Sequence, residues 1–190
     1  MKNKLLLLLS FVVSSCLYSE IHLLDSDDLT WLSPYEQGDI ILFKSGNSID
    51  TMIVREAYLH NTTSRFMRNE SSSVYNGNGG FHCFIHHGKQ ITKCNFAVYK
   101  NGGKSLSVHL IVHKRFYMPS EKDIHFQKVN INGINYDDAI VINDTNSENP
   151  DDDKTLNMEY FIYSKSEGLL KYKYLNGGEY TFYKMKNKQD

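Results

Sequence analysis

The stretch FHCFIHHGKQITKCNFAVYK, Phe81 to Lys100, decides how this chain is read. Aromatic and β-branched residues dominate both of its halves, and Gly88-Lys89 sits between them. Taken as a two-residue loop with glycine first, the pair suits a type II′ hairpin turn. His87 then faces Gln90, and four steps further out Cys83 faces Cys94. Opposed Cα atoms on such a ladder lie roughly 4.5–5.5 Å apart, inside the range that a disulfide spans. The expectation is a β-hairpin stapled by Cys83 and Cys94, provided that the register does not slip and the compartment is oxidising.

Working outward, the same texture recurs. DIILFKS (Asp39–Ser45) reads as a strand closed by the turn GNS, and IDTMIVREAYL (Ile49–Leu59) reads as strand in preference to helix. Asn61–Gly80, rich in Ser, Asn and Gly, reads as a loop. In SLSVHLIVHKRFYM (Ser105–Met118), Leu106, Val108, Leu110 and Val112 share one face, as in a half-buried antiparallel strand. IHFQKVNI and INYDDAIVIN flank Asn132-Gly133, a strong hairpin signal. After an acidic loop, Asp144–Asn157, the chain ends in a meander of MEYFIYSKSEG, LLKYKYLNGG and EYTFYKM. Nine or ten short strands and no convincing long helix predict an all-β domain over residues 38–190. It would be a single antiparallel barrel, half-barrel or sandwich.

Composition agrees. Of 190 residues, 13% are aromatic, including 13 Tyr and 10 Phe, a balance that favours strands. Only three Pro occur, so no Pro-rich linker divides the chain. Formal charges are 21 basic against 22 acidic; without Lys2 and Lys4 they are 19 against 22, near −3 with His neutral. That balance argues against nucleic acid as a partner, which calls for a basic face, and against a polybasic membrane patch.

The N-terminus has the order of an export signal. Lys2 and Lys4 precede an apolar run, Leu5–Val13, and small Ser14 and Ser15 follow. Nine residues of helix span about 14 Å, against roughly 30 Å of hydrocarbon, so the run is a signal (1–15) rather than a membrane anchor. Val13-Ser14-Ser15-Cys16 resembles the bacterial lipobox, in which the cysteine is acylated and becomes the first mature residue. The alternative is a conventional signal cut near Ser19. Either way Cys83 and Cys94 remain as an even pair. Residues 16–37, mixed and polar, are expected to be a tether or loosely docked arm. The expected location is the cell envelope, with membrane attachment through a fatty-acid anchor such as palmitate on Cys16; otherwise the protein is periplasmic or secreted.

Three pieces carry a family likeness. VNINGINYDDAIVIN (Val129–Asn143), FIYSKSEGLLKYKY (Phe161–Tyr174) and YEQGDIILFKSGNSIDT (Tyr35–Thr51) resemble small envelope lipoproteins of Bacteroidota. The resemblance implies a curved antiparallel sheet of the lipoprotein-carrier type, cupping an apolar surface, and implies no activity. The hairpin bearing His and Cys lies outside the family's pattern.

Catalytic and metal chemistry are thinly represented. His82 and His86 share one strand face, and His109 and His113 share another. Residues i and i+4 on a strand are about 13 Å apart, too far for one ion. Only a cross-strand pair such as His86 with His109 could meet, and neither HExxH nor CxxC spacing occurs. NDTNSENPDDDK lacks the order of an EF-hand calcium loop. There is no GxSxG. Gly77, Gly79 and Gly80 loosely suggest a phosphate loop, but no helix with Lys-Ser/Thr follows. Asp137 and Asp138 point to opposite faces. No catalytic residue, metal ligand or cofactor is therefore assigned. The leading expectation is an envelope lipoprotein with a binding or structural role, cupping an apolar small molecule or meeting an envelope protein. The alternatives are a secreted β-fold hydrolase with its site in Asn61–His87, tested by mutating His86 or His87, and a surface interaction module.

Overall fold

The computed structural model describes residues 20–61, 74–101, 105–112, 115–117, 124–143, 147–148, 158–175 and 177–186. In chain order its elements are β1 (Glu20–His22), α1 (Ser26–Leu29), a 3-10 turn (Thr30–Leu32), β2 (Ile40–Ser45), β3 (Ser48–His60), β4 (Val74–Asn76), β5 (Asn78–His87), β6 (Gln90–Asn101) and β7 (Ser105–Val112). There follow β8 (Arg115–Tyr117), β9 (Gln127–Ile131), β10 (Ile134–Asn143), β11 (Ser147–Glu148), β12 (Met158–Ser164), β13 (Gly168–Tyr174) and β14 (Glu179–Lys186). The protein is all-β. Twelve strands form one antiparallel sheet in the order β11-β8-β7-β6-β5-β3-β2-β14-β13-β12-β10-β9. β8 and β11 are stubs of three and two residues, which leaves ten strands of substance. A separate parallel pair joins β1 to β4.

The order is two meanders spliced at the centre. One runs outward from β2 through β3, β5, β6 and β7, the other runs back from β9 to β14, and β14 pairs with β2. Among the described residues the edges β9 and β11 do not pair, so the sheet is curved without closing. The curvature follows from one contact. Phe96 on β6 and Tyr163 on β12 are six strands apart along the sheet, which would be about 29 Å on a flat one. Their rings nevertheless stack with centroids 4.2 Å apart at 6°. The inner face therefore wraps on itself and fills its own interior with Ile41, Phe43, Val54, Phe81, Ile85, Val108, Ile142, Phe161 and Tyr172.

Turn chemistry follows the sequence. Gly88 has φ 57 as the first of two loop residues, and Asn132 and Gly133 have φ 54 and 85, the paired positive values of a type I′ turn. The hairpin register is the expected one, with His87 opposite Gln90 and Cys83 opposite Cys94. The expected disulfide is absent, however: both cysteines are buried free thiols. Pair types alternate along an antiparallel ladder, and the pair flanking a two-residue turn is hydrogen-bonded. Cys83–Cys94, four steps out, is of that same wider type. Burial pushes the Cys94 thiol up to about 12 and the Cys83 thiol upward as well.

Within the 16–37 segment, the described residues form an arm that docks into the fold. Trp31, only 2% exposed, enters the fold's interior with Leu24 and Tyr35. Trp31 stacks on Phe96 (6.4 Å), Tyr163 (6.1 Å) and Phe126 (5.9 Å), and so plugs the seam where the sheet meets itself. Tyr163 donates to the Trp31 carbonyl at 3.2 Å, and the Leu169 amide donates to Tyr35 Oη at 2.6 Å. The acidic DSDD run is what starts α1: Asp25 accepts from the amides of Asp27 and Asp28 as N-cap, and Asp28 reciprocates in a capping box. Asp28 also takes the ammonium of buried Lys100 at 2.5 Å. Burial works against that ammonium, but hydrogen bonds and charge from Asp28 and Asp25 outweigh it and leave the Lys100 pKa raised.

Candidate functional site

Two places on this frame offer chemistry, and they lie at opposite ends of β3 and β5. The first is an apolar groove of about 360 Å³ between the arm and the sheet. Leu29, Leu32 and Ser33 form one wall, Ala57, Tyr58 and Leu59 the other, and Gly80 and Phe81 the floor. Its volume falls within the range of small-molecule sites, roughly 300–1,000 Å³. Glycines make this geometry. A Cβ at Gly79 would meet the Leu32 and Leu59 side chains, one at Gly80 would overlap the Phe96 carbonyl, and one at Gly77 would lie 2.9 Å from the Leu24 amide. The Gly77-x-Gly79-Gly80 run is thus the seat of the arm, with Gly77 between β4 and β5 and Gly79 and Gly80 within β5. Asn61 completes the seat, accepting from the Leu24 amide at 2.7 Å and donating to its carbonyl at 2.9 Å.

The second place is a carboxylate, Asp50, 1% exposed near the start of β3. The β3–β5 register, with Thr51 opposite His86, sets Asp50 opposite His87. His87 Nδ1 lies 2.8 Å from Asp50 Oδ1. The other carboxylate oxygen, Oδ2, accepts from Tyr172 at 2.6 Å and Tyr174 at 3.1 Å. Burial first, and the Asp50 charge after it, push both phenols upward, so they stay protonated donors. Tyr174 and Tyr180 rings stand 5.0 and 5.5 Å from the imidazole. The His87 side chain is 37% exposed. An ionised carboxylate only accepts, so Nδ1 is the donor; in the neutral imidazole that leaves the lone pair on Nε2.

The remaining sequence candidates disperse. His82 faces outward and stacks on Tyr58 at 5.2 Å. His109 stands opposite Ala97, which in turn stands opposite Gly80. That is six residues, about 20 Å, along the sheet from His86, so the His86–His109 pair does not meet. His113 lies outside the described residues. Among those described, no group of three His, Cys, Asp or Glu could hold a metal ion. Asp137 pairs with Lys128 at 3.1 Å in solvent, whereas Asp138 caps the β12–β13 turn, accepting from Ser164 Oγ and the Ser166 amide, both at 2.8 Å. Cys16 and the signal lie outside the described residues, as does the acidic loop apart from Ser147 and Glu148.

The groove was not legible as a site, because its walls come from segments about thirty residues apart. The Asp50–His87 pair was half legible: His87 stood in the hydrolase region, but Asp50 looked like an ordinary polar residue after a turn. A hairpin register places β5 against β6, and nothing local places it against β3. Compared with family models, curated proteins and solved structures, the chain matches none.

Proposed function

We propose that the protein is an exported cell-envelope lipoprotein, anchored through Cys16, whose groove binds the acyl part of a membrane lipid. The observation that carries this reading is the open apolar groove beside the point where the arm enters the fold. Among the described residues, the interior void bounded by Tyr35, Phe81, Phe96 and Tyr163 is about 10 Å³, too small for a cupped ligand. Apolar binding therefore belongs outside the wrapped sheet, under the arm. Four residues separate Cys16 from Glu20, at most about 14 Å of chain. Leu23 and Leu24 sit against Gly77, only two residues along β5 from Gly79 on the groove floor. An anchor on Cys16 keeps the groove near the bilayer surface, where lipid chains are the abundant apolar ligand.

The test has two arms. Cys16→Ser should release the protein from membranes and stop incorporation of a fatty-acid probe; unchanged association and labelling would refute the anchor. Native mass spectrometry after gentle extraction should show a copurifying lipid, and Ala57→Trp, which fills the groove, should remove it. A lipid retained in Ala57→Trp, or none in the parent, would refute the groove.

A further inference from the structure

The geometry points to an activity at the far end of β3 and β5: His87, held by Asp50, acts as the general base of a hydrolytic site for activated esters such as aryl esters. Seven residues along β3 separate Asp50 from Ala57, about 23 Å, so this site neither overlaps the groove nor depends on the reading of it. Asp50 is held on both carboxylate oxygens. Tyr172 and Tyr174 hold Oδ2, and His87 Nδ1 takes Oδ1. Three donors fix the carboxylate and the carboxylate fixes the ring. One nitrogen is committed inward on a nearly sealed anion, while the ring as a whole is 37% exposed. That arrangement sets the tautomer a base requires, the role a buried carboxylate plays behind histidine in hydrolases. A purely structural partner for Asp50 would not need a 37% exposed ring.

The turn ends of the β2–β3, β5–β6 and β13–β14 hairpins gather around the imidazole, and the rings of Tyr174 and Tyr180 flank it. Both rings are themselves buried, at 4% exposure, so they brace the imidazole from behind. In the step, Nε2 takes a proton from water as the water oxygen bonds to the ester carbonyl carbon. The bond from that carbon to the aryl oxygen then breaks, and the proton passes to the leaving phenolate. The products are a carboxylic acid and a phenol, with imidazole regenerated and no other reactant consumed. Asp50, Tyr172 and Tyr174 are positioning residues.

The experiment measures p-nitrophenyl acetate hydrolysis by the full-length protein, with His87→Gln, His86→Gln and Asp50→Asn beside it. The wild type should exceed free imidazole, and His87→Gln should lower kcat/KM about a hundredfold, the usual scale for a general base. His86→Gln, on the opposite face of the strand, should leave the rate unchanged. The wild-type rate should rise through one ionisation that His87→Gln abolishes. Asp50→Asn, which keeps the imidazole but not its acceptor, should lower kcat with little change in KM. Should a variant fail to fold, carbethoxylation of the wild type serves instead: modification mapped to His87 should abolish turnover, and hydroxylamine should restore it. Wild-type turnover no faster than imidazole, equal rates for His87→Gln and wild type, or activity surviving modification of His87 would each overturn the proposal.

Discussion

Replacing Trp31 by Ala tests the claim that the N-terminal arm is part of the core. The indole is 2% exposed and touches Phe96 on one side of the wrapped sheet and Tyr163 on the other, with Phe126 beside it and the Lys165 ammonium 5.9 Å from the ring centroid. Truncating a fully buried Trp to Ala costs about 3–5 kcal/mol, the upper part of that range applying where the surroundings cannot collapse. Collapse is restricted here, because Phe96 and Tyr163 are already stacked at 4.2 Å and cannot approach further. A loss near 4 kcal/mol in a chain of this size corresponds to about 8–16 °C in Tm. Urea unfolding followed by circular dichroism gives the free energy. Trp31 is the only tryptophan, so wild-type fluorescence reports arm undocking directly, and it should change together with the global transition. A loss below about 0.5 kcal/mol, or a fluorescence transition well ahead of the circular dichroism one, would refute the docked-arm reading.

Three other expectations concern separate parts of the fold. Burial raises the ionisation of Tyr35, Tyr163, Tyr172 and Tyr174 above the ordinary value of 10.0, and the Lys100 pKa is raised above 10.5. Groups whose folded pKa is raised stabilise the fold fully below their unfolded pKa and lose that contribution above it. Stability should therefore fall from about pH 10 upward, with tyrosinate absorbance appearing only as the chain unfolds; tyrosinate formed at full ellipticity would contradict this. Gly168 has φ 82, and a Cβ there would overlap the Tyr35 ring, so Gly168→Ala should cost at least about 1–3 kcal/mol, read as a lowered urea midpoint at unchanged slope; an unchanged midpoint would count against it. In a Cys16→Ser background, Cys83 and Cys94 should resist a thiol reagent in the native state and both react in denaturant without prior reduction. If they react only after reduction, they are bonded to each other.

Legibility differed from element to element for physical reasons. The β5–β6 hairpin, down to the pairing of Cys83 with Cys94, was readable because a two-residue turn fixes every pair beyond it. The Asn132-Gly133 turn was readable because positive φ at two successive positions selects those residues. Register brings the two cysteines opposite each other but does not set their oxidation state, and the structure holds them as buried free thiols. How firmly the arm docks was not readable, because residues 16–37 are polar on average and the average conceals that Leu24, Trp31 and Tyr35 turn inward.

The sequence by itself determined what is local: strands by alternation, hairpins by their turns, and the start of α1 by the acidic run that caps it. Tertiary structure alone decided what depends on strands meeting at a distance. The pairing of β14 with β2 splices the two meanders, and the wrap of the sheet brings Phe96 to Tyr163. The crossing of the arm over Gly77, Gly79 and Gly80 opens the groove, and Asp50 meets His87 only when β3 lies against β5. Local preferences act over a few residues of backbone. Which strand lies beside which is settled by the burial of one continuous inner face, a property of the whole chain.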